Sequence, residues 1–236
     1  MSLLKYAYVS AARVGRAAAR SAGLLARLES RRFDRASVWV RSLFAIYDIE
    51  DMASLDLPWW TLEATEKADA FLKARPEARV FEYGSGASTI WLARRAASVT
   101  SVEHDEHWHP MVADKIADHP NAQVKLVLPD ERPAPDPIYG STKPGWRGRT
   151  FRNYVHAIDN EPGVFDVIVI DGRARVACLK QSLSRLATNG MIIFDNTNRP
   201  AYRRAIDALG FPAQRTSGLT ACLPYPDETT LIRMPA

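Results

Sequence analysis

Hydrophobic positions recur with two different periods along this chain. From Ala78 onward, short apolar runs alternate with stretches in which apolar residues return every three or four positions. The first kind reads as strands at 78–83, 98–103, 122–128, 165–171 and 190–195. The second reads as helices near 88–96, 106–117, 151–160, 174–187 and 199–209. Strands separated by helical crossovers run parallel in one sheet. Upstream, Ala64, Ala68, Phe71 and Leu72 place a further helix over Thr61 to about Ala74. The last two apolar runs, 214–222 and 228–233, are joined by Pro224-Tyr225-Pro226-Asp227, too short a link for a crossover helix. They must therefore pair as an antiparallel hairpin. The pattern predicts an α/β fold: a mostly parallel seven-stranded sheet closed by that hairpin, with helices on both faces.

The 236 residues suit one such domain, residues 58–236, behind an arginine-rich helical extension, residues 1–57. The overall charge of +4 hides a split. Residues 1–41 hold nine bases and two acids; the remaining 195 hold 22 bases and 25 acids. A mildly acidic body argues against a domain that grips nucleic-acid backbone, where many Lys/Arg contacts are needed. No apolar run approaches the ~20 residues that span a bilayer. Residues Leu3, Leu4, Tyr6, Val9, Val14, Leu24, Leu25 and Leu28 alternate with arginines at helical intervals. They suit an amphipathic helix on a membrane surface or partner, or a helix packed on the domain with its arginines in water. Two cysteines, Cys178 and Cys222, form neither a ligand pair nor a disulfide framework, as expected of a cytoplasmic protein, peripheral at a membrane if the extension docks there. The stretch 131–150, with four prolines and three glycines, reads as a functional loop.

Val80-Phe-Glu-Tyr-Gly-Ser-Gly-Ala-Ser-Thr89 is a buried strand running into a glycine turn and then a helix. Gly84 and Gly86 allow close backbone approach, and the helix start near Ser88 and Thr89 favours an anion. Thr89 stands where a dinucleotide fold has its third glycine, which disfavours NAD. The next strand ends in Glu103, 19 residues after Gly84, where a carboxylate can take both hydroxyls of a ribose. Turn, acid and hairpin together resemble the class I S-adenosylmethionine (SAM)-dependent methyltransferases, a Rossmann-like family, over roughly residues 58–236. The resemblance implies that Glu82 and the Gly84-Ser85-Gly86 turn hold the methionine part of SAM, with Ser88 and Thr89 at the helix start as further cofactor-binding candidates. It implies Glu103 on ribose, His104 beside adenine, and Asp130, after Leu128-Pro129, on the adenine amine.

Two more strands end in polar groups, Phe165-Asp-Val-Ile-Val-Ile-Asp171 and Met191-Ile-Ile-Phe-Asp195-Asn196. This resembles the catechol and caffeoyl-CoA type O-methyltransferases, in which Asp171, Asp195 and Asn196 would bind Mg²⁺ and the cation would acidify the acceptor hydroxyl. The match is incomplete, since the lysine expected three residues after Asp171 is Ala174, between Arg173 and Arg175. A metal-free alternative has Asp171 on the SAM amine and Asp195-Asn196 shaping the pocket. Arg173 would hold an anionic acceptor, such as a carboxylate, phosphate or uronic acid, and His156 is a second candidate base or a helix-surface histidine. Tyr139, Trp146, Phe151 and Tyr154 suggest an aromatic lid, with Trp59-Trp60 opposite or simply packed. His104, His107 and His109 invite a metal reading, but they follow the ribose acid directly. Nucleic-acid amino-methylation is disfavoured because Asp171-Gly-Arg-Ala replaces the Asn/Asp-Pro-Pro-aromatic run. The expected activity is O-methylation of a small molecule or saccharide. Alternatives are a noncatalytic SAM-fold protein docked by its N-terminal helices, and an aminopropyltransferase-like enzyme.

Overall fold

The computed structural model describes residues 14–46, 48–132 and 135–234, so the apolar positions between Leu3 and Val9 lie outside the described residues. Seven strands form one sheet in the order β3-β2-β1-β4-β5-β7-β6. They are β1 (Arg79–Tyr83), β2 (Ser98–Glu103), β3 (Ala122–Leu126), β4 (Phe165–Ile170), β5 (Leu186–Asp195), β6 (Ala213–Gly218) and β7 (Asp227–Arg233). Neighbours run parallel except β7, which lies antiparallel to both β5 and β6. The predicted architecture is therefore the observed one.

Period-two alternation sorts the strand residues onto two cores. Phe81, Tyr83, Ile168, Ile170, Ile192 and Phe194 face one core, with Phe151, Tyr154 and Cys178. Val80, Val167, Val169, Met191 and Ile193 face the other, with Trp60, Ala64, Ala68 and Trp91. Helix α5 (Leu62–Lys73) covers part of the second core. It starts where the Thr61 hydroxyl accepts the Ala64 N–H at 3.3 Å, and carries Glu63 in its first turn and Lys73 in its last, as the helix dipole favours. Between strands lie α6 (Ala87–Ala93), α7 (His109–Lys115), α8 (Arg152–His156), α9 (Arg175–Ser182) and α10 (Pro200–Asp207). Strand β5 begins four residues earlier than the apolar pattern indicates, because Ala187, Thr188 and Asn189 are not buried and hide its start.

The N-terminal segment contributes α1 (described over residues 14–21), α2 (Leu24–Glu29), α3 (Arg35–Leu43) and α4 (Ile49–Leu55). Ala45, Ile46 and Met52 pack with Leu62, Ala221 and Cys222. Buried Arg41 bonds both oxygens of Asp51, at 2.9 and 2.7 Å, and reaches Glu29 at 2.7 Å. The Trp39 indole donates to the Leu223 carbonyl at 2.8 Å, and the Cys222 N–H donates to the Ser42 hydroxyl at 2.9 Å. Thus α3 and α4 share a core with the chain between β6 and β7. Trp59 packs on the same cluster, and Trp60 is fully buried edge-on against Trp91. The tryptophan pair is packing.

Candidate functional site

The carboxyl ends of β1, β2, β4 and β5 meet along one edge of the sheet, where open parallel sheets bind ligands. Gly84 turns the chain there with φ +96°. A Cβ at Gly84 would stand 3.0 Å from the Gly172 nitrogen and 3.1 Å from the Asp171 carbonyl carbon. The turns after β1 and β4 are thus pressed together, and the Asp171 N–H donates to the Tyr83 carbonyl at 2.9 Å. Gly86 is extended, and a Cβ on it would meet only the Trp108 ring, at 3.9 Å.

Glu82 is fully buried beneath this turn. Its carboxylate accepts from the hydroxyls of Ser88 (2.5 Å), Thr89 (2.6 Å) and Ser101 (2.5 Å). Burial outweighs those donors and lifts its pKa to about 7. Glu82, Ser88 and Thr89 therefore bind one another, tying α6 to β1 and β2, and their polar groups are turned inward. Glu103 ends β2 with every lone pair engaged. One oxygen accepts the Ser85 N–H (3.1 Å) and hydroxyl (2.9 Å), the other the N–H groups of His104 (2.7 Å) and Asp105 (2.9 Å). Burial pushes this carboxyl up, and the interactions with His104, Asp105 and Ser85 more than reverse it, leaving it below the ordinary value.

His104 lies beside Glu103 under a set of aromatic rings, with Trp146 at 4.6 Å, Phe151 at 5.7 Å and Tyr154 at 5.9 Å between centroids. Its Nε2 accepts from the Arg173 Nε at 2.9 Å. Residues 140–150 close on themselves through a Gly140–Thr150 bridge and bring Trp146 onto His104. Phe151 and Tyr154 belong to the core rather than to a lid. Asp130 accepts the N–H groups of Arg152 and Asn153, so its carboxylate caps α8. The Tyr154 hydroxyl is buried without a partner among the described residues, and a Cβ at Gly172 would stand 1.9 Å from it. Neither Gly172 nor that orphaned hydroxyl is visible in the sequence pattern.

Asp171 follows β4 and pairs with Arg175, the first residue of α9, at 2.6 Å. The buried Arg175 guanidinium also donates to the carbonyls of Asp171 (2.7 Å), Gly172 (3.2 Å) and Asp195 (2.6 Å). Burial raises the Asp171 carboxyl even so, against Arg175 and Arg173. Asp195 is pushed well up by burial and by Asp171. Both Asp195 oxygens are taken, by the Thr229 hydroxyl and the Asn196 amide, each at 2.7 Å. The same Asn196 nitrogen reaches Asp227 at 2.9 Å.

This arrangement does not fit the Mg²⁺ reading of Asp171, Asp195 and Asn196. A permanent cation, Arg175, already joins the two strand ends. Asn196 presents its amide N–H, not its oxygen, to the carboxylates. Among the described residues no group of three His, Cys, Asp or Glu side chains could hold a metal ion. His107 is exposed, and the His109 ring contacts the Val124 carbonyl at 3.1 Å. His156, the other candidate base, engages Asp159 (2.9 Å) and the Tyr139 hydroxyl (3.4 Å), whereas Asp171 engages Arg175. Arg173 is half-buried, forms no ion pair among the described residues, and is lowered by burial and by Arg175.

No protein-family profile and no curated protein matches the sequence significantly. Solved structures do match in shape. The O-methyltransferase from Bacillus cereus in complex with SAH aligns with a TM-score of 0.58 at 17% identity, over 84% of this chain and 90% of that one. TomG, an O-methyltransferase from Streptomyces achromogenes in complex with SAM, gives 0.52 at 16% identity over the same shares, 84% and 90%. An rRNA methylase from Streptococcus thermophilus gives 0.51 at 14% identity, over 72% of this chain and 96% of that one. At such identities the likeness establishes the fold, and the fold is that of the class I, Rossmann-like methyltransferases.

Proposed function

We propose that this chain is a SAM-dependent methyltransferase that methylates a hydroxyl of an anionic small molecule or saccharide without a metal ion. The observation that carries the reading is the pairing of the Gly84 turn with the Asp171-Gly172 turn, beside Glu103, at the carboxyl edge of the sheet. The donor chemistry fits SAM. Glu103 is held below the ordinary carboxyl range, so it is ionised for a ribose diol. Ser85 supplies one of the four bonds to Glu103 through a hydroxyl that can rotate away, and a ribose hydroxyl would take that place. The orphaned Tyr154 hydroxyl lies against Gly172, next to the same turn.

SAM would supply an electrophilic methyl group on a sulfonium. Asp171 is the base this site offers, since one of its oxygens is bound by Arg175 and burial raises its proton affinity. It would accept the proton of the acceptor hydroxyl as that oxygen attacks. Arg173 would hold the acceptor's anionic group, since it forms no ion pair among the described residues and its Nε rests on His104. Trp146 and residues 140–150 would cover the cofactor and exclude water. The test is methyl transfer from labelled SAM to a panel of hydroxylated acids, sugar phosphates and uronic acids. Transfer to at least one of them, lost in Asp171→Asn with SAH binding intact, is expected. Absence of transfer to every acceptor, or full activity in Asp171→Asn, contradicts the assignment.

A further inference from the structure

The N-terminal helices carry a surface that the catalytic reading leaves unused. The turn between α2 and α3, residues 30–33, ends in Phe33, which is 90% exposed. Arg32 lies over its ring at 5.1 Å, and Arg31 is exposed beside it. Arg27, in the last turn of α2, and Arg20, in α1, are also exposed. None of these four arginines forms an ion pair among the described residues. The acids nearby are committed elsewhere: Glu29 pairs with Arg41, and Asp34 caps α3 through the Ser37 N–H and hydroxyl. Val14 and Leu24 are exposed as well, at 74% and 42%.

We infer that this helical tip docks the protein on an anionic lipid bilayer, with Phe33 in the interface and Arg20, Arg27, Arg31 and Arg32 on headgroup phosphates. An aromatic ring held at a turn between unpaired guanidiniums suits that boundary. The ring leaves water for the acyl edge while each arginine stays at headgroup level. Nucleic acid is a poorer occupant, because residues 42–236 carry 22 bases against 25 acids and so do not extend the excess of positive charge beyond the tip. The inference stands independently of the acceptor and of methyl transfer.

The test is flotation of the full chain with vesicles of phosphatidylcholine alone, and with about one-third phosphatidylglycerol. Binding to the anionic vesicles only is expected, weakening as salt rises. Arg31→Glu with Arg32→Glu should lower partitioning about tenfold or more, and Phe33→Ser should lower it several-fold. Both variants should melt at the wild-type temperature, because these side chains are exposed. Residues 1–13 are common to all variants, so a loss on substitution assigns the contact to the tip. No flotation with anionic vesicles, flotation unchanged by both variants, or binding to an RNA oligonucleotide but not to vesicles would overturn the inference.

Discussion

Replacing Glu82 with glutamine should stabilise the protein in alkali and much less in acid. The carboxyl is fully buried and its pKa is carried from an ordinary 4.5 to about 7. A raised carboxyl means that the native state binds the proton more tightly than the unfolded chain. Stability from this group is then greatest at low pH and is lost as pH rises from 4.5 to about 7. Integrating between those two values gives a loss of about 2.5 kcal/mol between about pH 5 and about pH 8. Glutamine cannot ionise, and the hydroxyls of Ser88, Thr89 and Ser101 can rotate to accept from its amide. The advantage of Glu82→Gln over wild type should therefore grow by about 2.5 kcal/mol over that range. Urea denaturation of both proteins at the two pH values measures it, and the difference cancels every other titrating group. A gap independent of pH would show that Glu82 titrates normally, and the burial argument would fail.

Arg175→Met should lower stability by roughly 3 kcal/mol in thermal or urea melts, since it strips the Asp171 carboxylate and three carbonyls of their donor. Methyl transfer by the wild-type chain, as proposed, should survive exhaustive chelation; loss with EDTA and recovery with Mg²⁺ would restore the metal reading. A chain starting at Ile49 should melt far lower, by roughly 3–5 kcal/mol, because buried Asp51 loses Arg41. One starting at Asp34 keeps Arg41 on Asp51 but loses Glu29 and Arg16 from that cluster, so it should melt between wild type and the Ile49 chain. Equal melting of the two shortened chains would show that α3 is dispensable.

The sheet was legible because its positions alternate strictly, with Phe81 and Tyr83 on one core and Val80 on the other. The hairpin followed from a link too short to cross over, but pairing alone does not say which of its strands docks on β5. It is β7, the more apolar of the two, whose first six residues are buried. The glycine turn and Glu103 were readable from local spacing. The partners that decide what each acid can do come from distant sequence and were not. Asp130 is committed to N–H groups 22 and 23 residues away, and Asp195 to Thr229, 34 residues on. Arg175 was within reach, because its spacing of four from Asp171 across a helix start sets up an ion pair. The alternation of apolar residues and arginines along the N-terminal helices left open whether they pack or dock. The structure shows packing, with Arg41 buried against Asp51, and leaves Phe33 out in solvent, from which docking is inferred.

The central claim, that this edge of the sheet is a SAM site built on Glu103, is met most directly by calorimetric titration of the full chain with SAH. Wild type should bind at micromolar affinity. Glu103→Ala should weaken binding by ~1.5–3 kcal/mol, the scale of lost charge-assisted hydrogen bonds. Ser85→Ala, which removes only the hydroxyl that a ribose would displace, should keep the affinity within a few-fold and so separates ligand contact from damage to the turn. Absence of binding by wild type, or equal affinity in Glu103→Ala, would contradict the account.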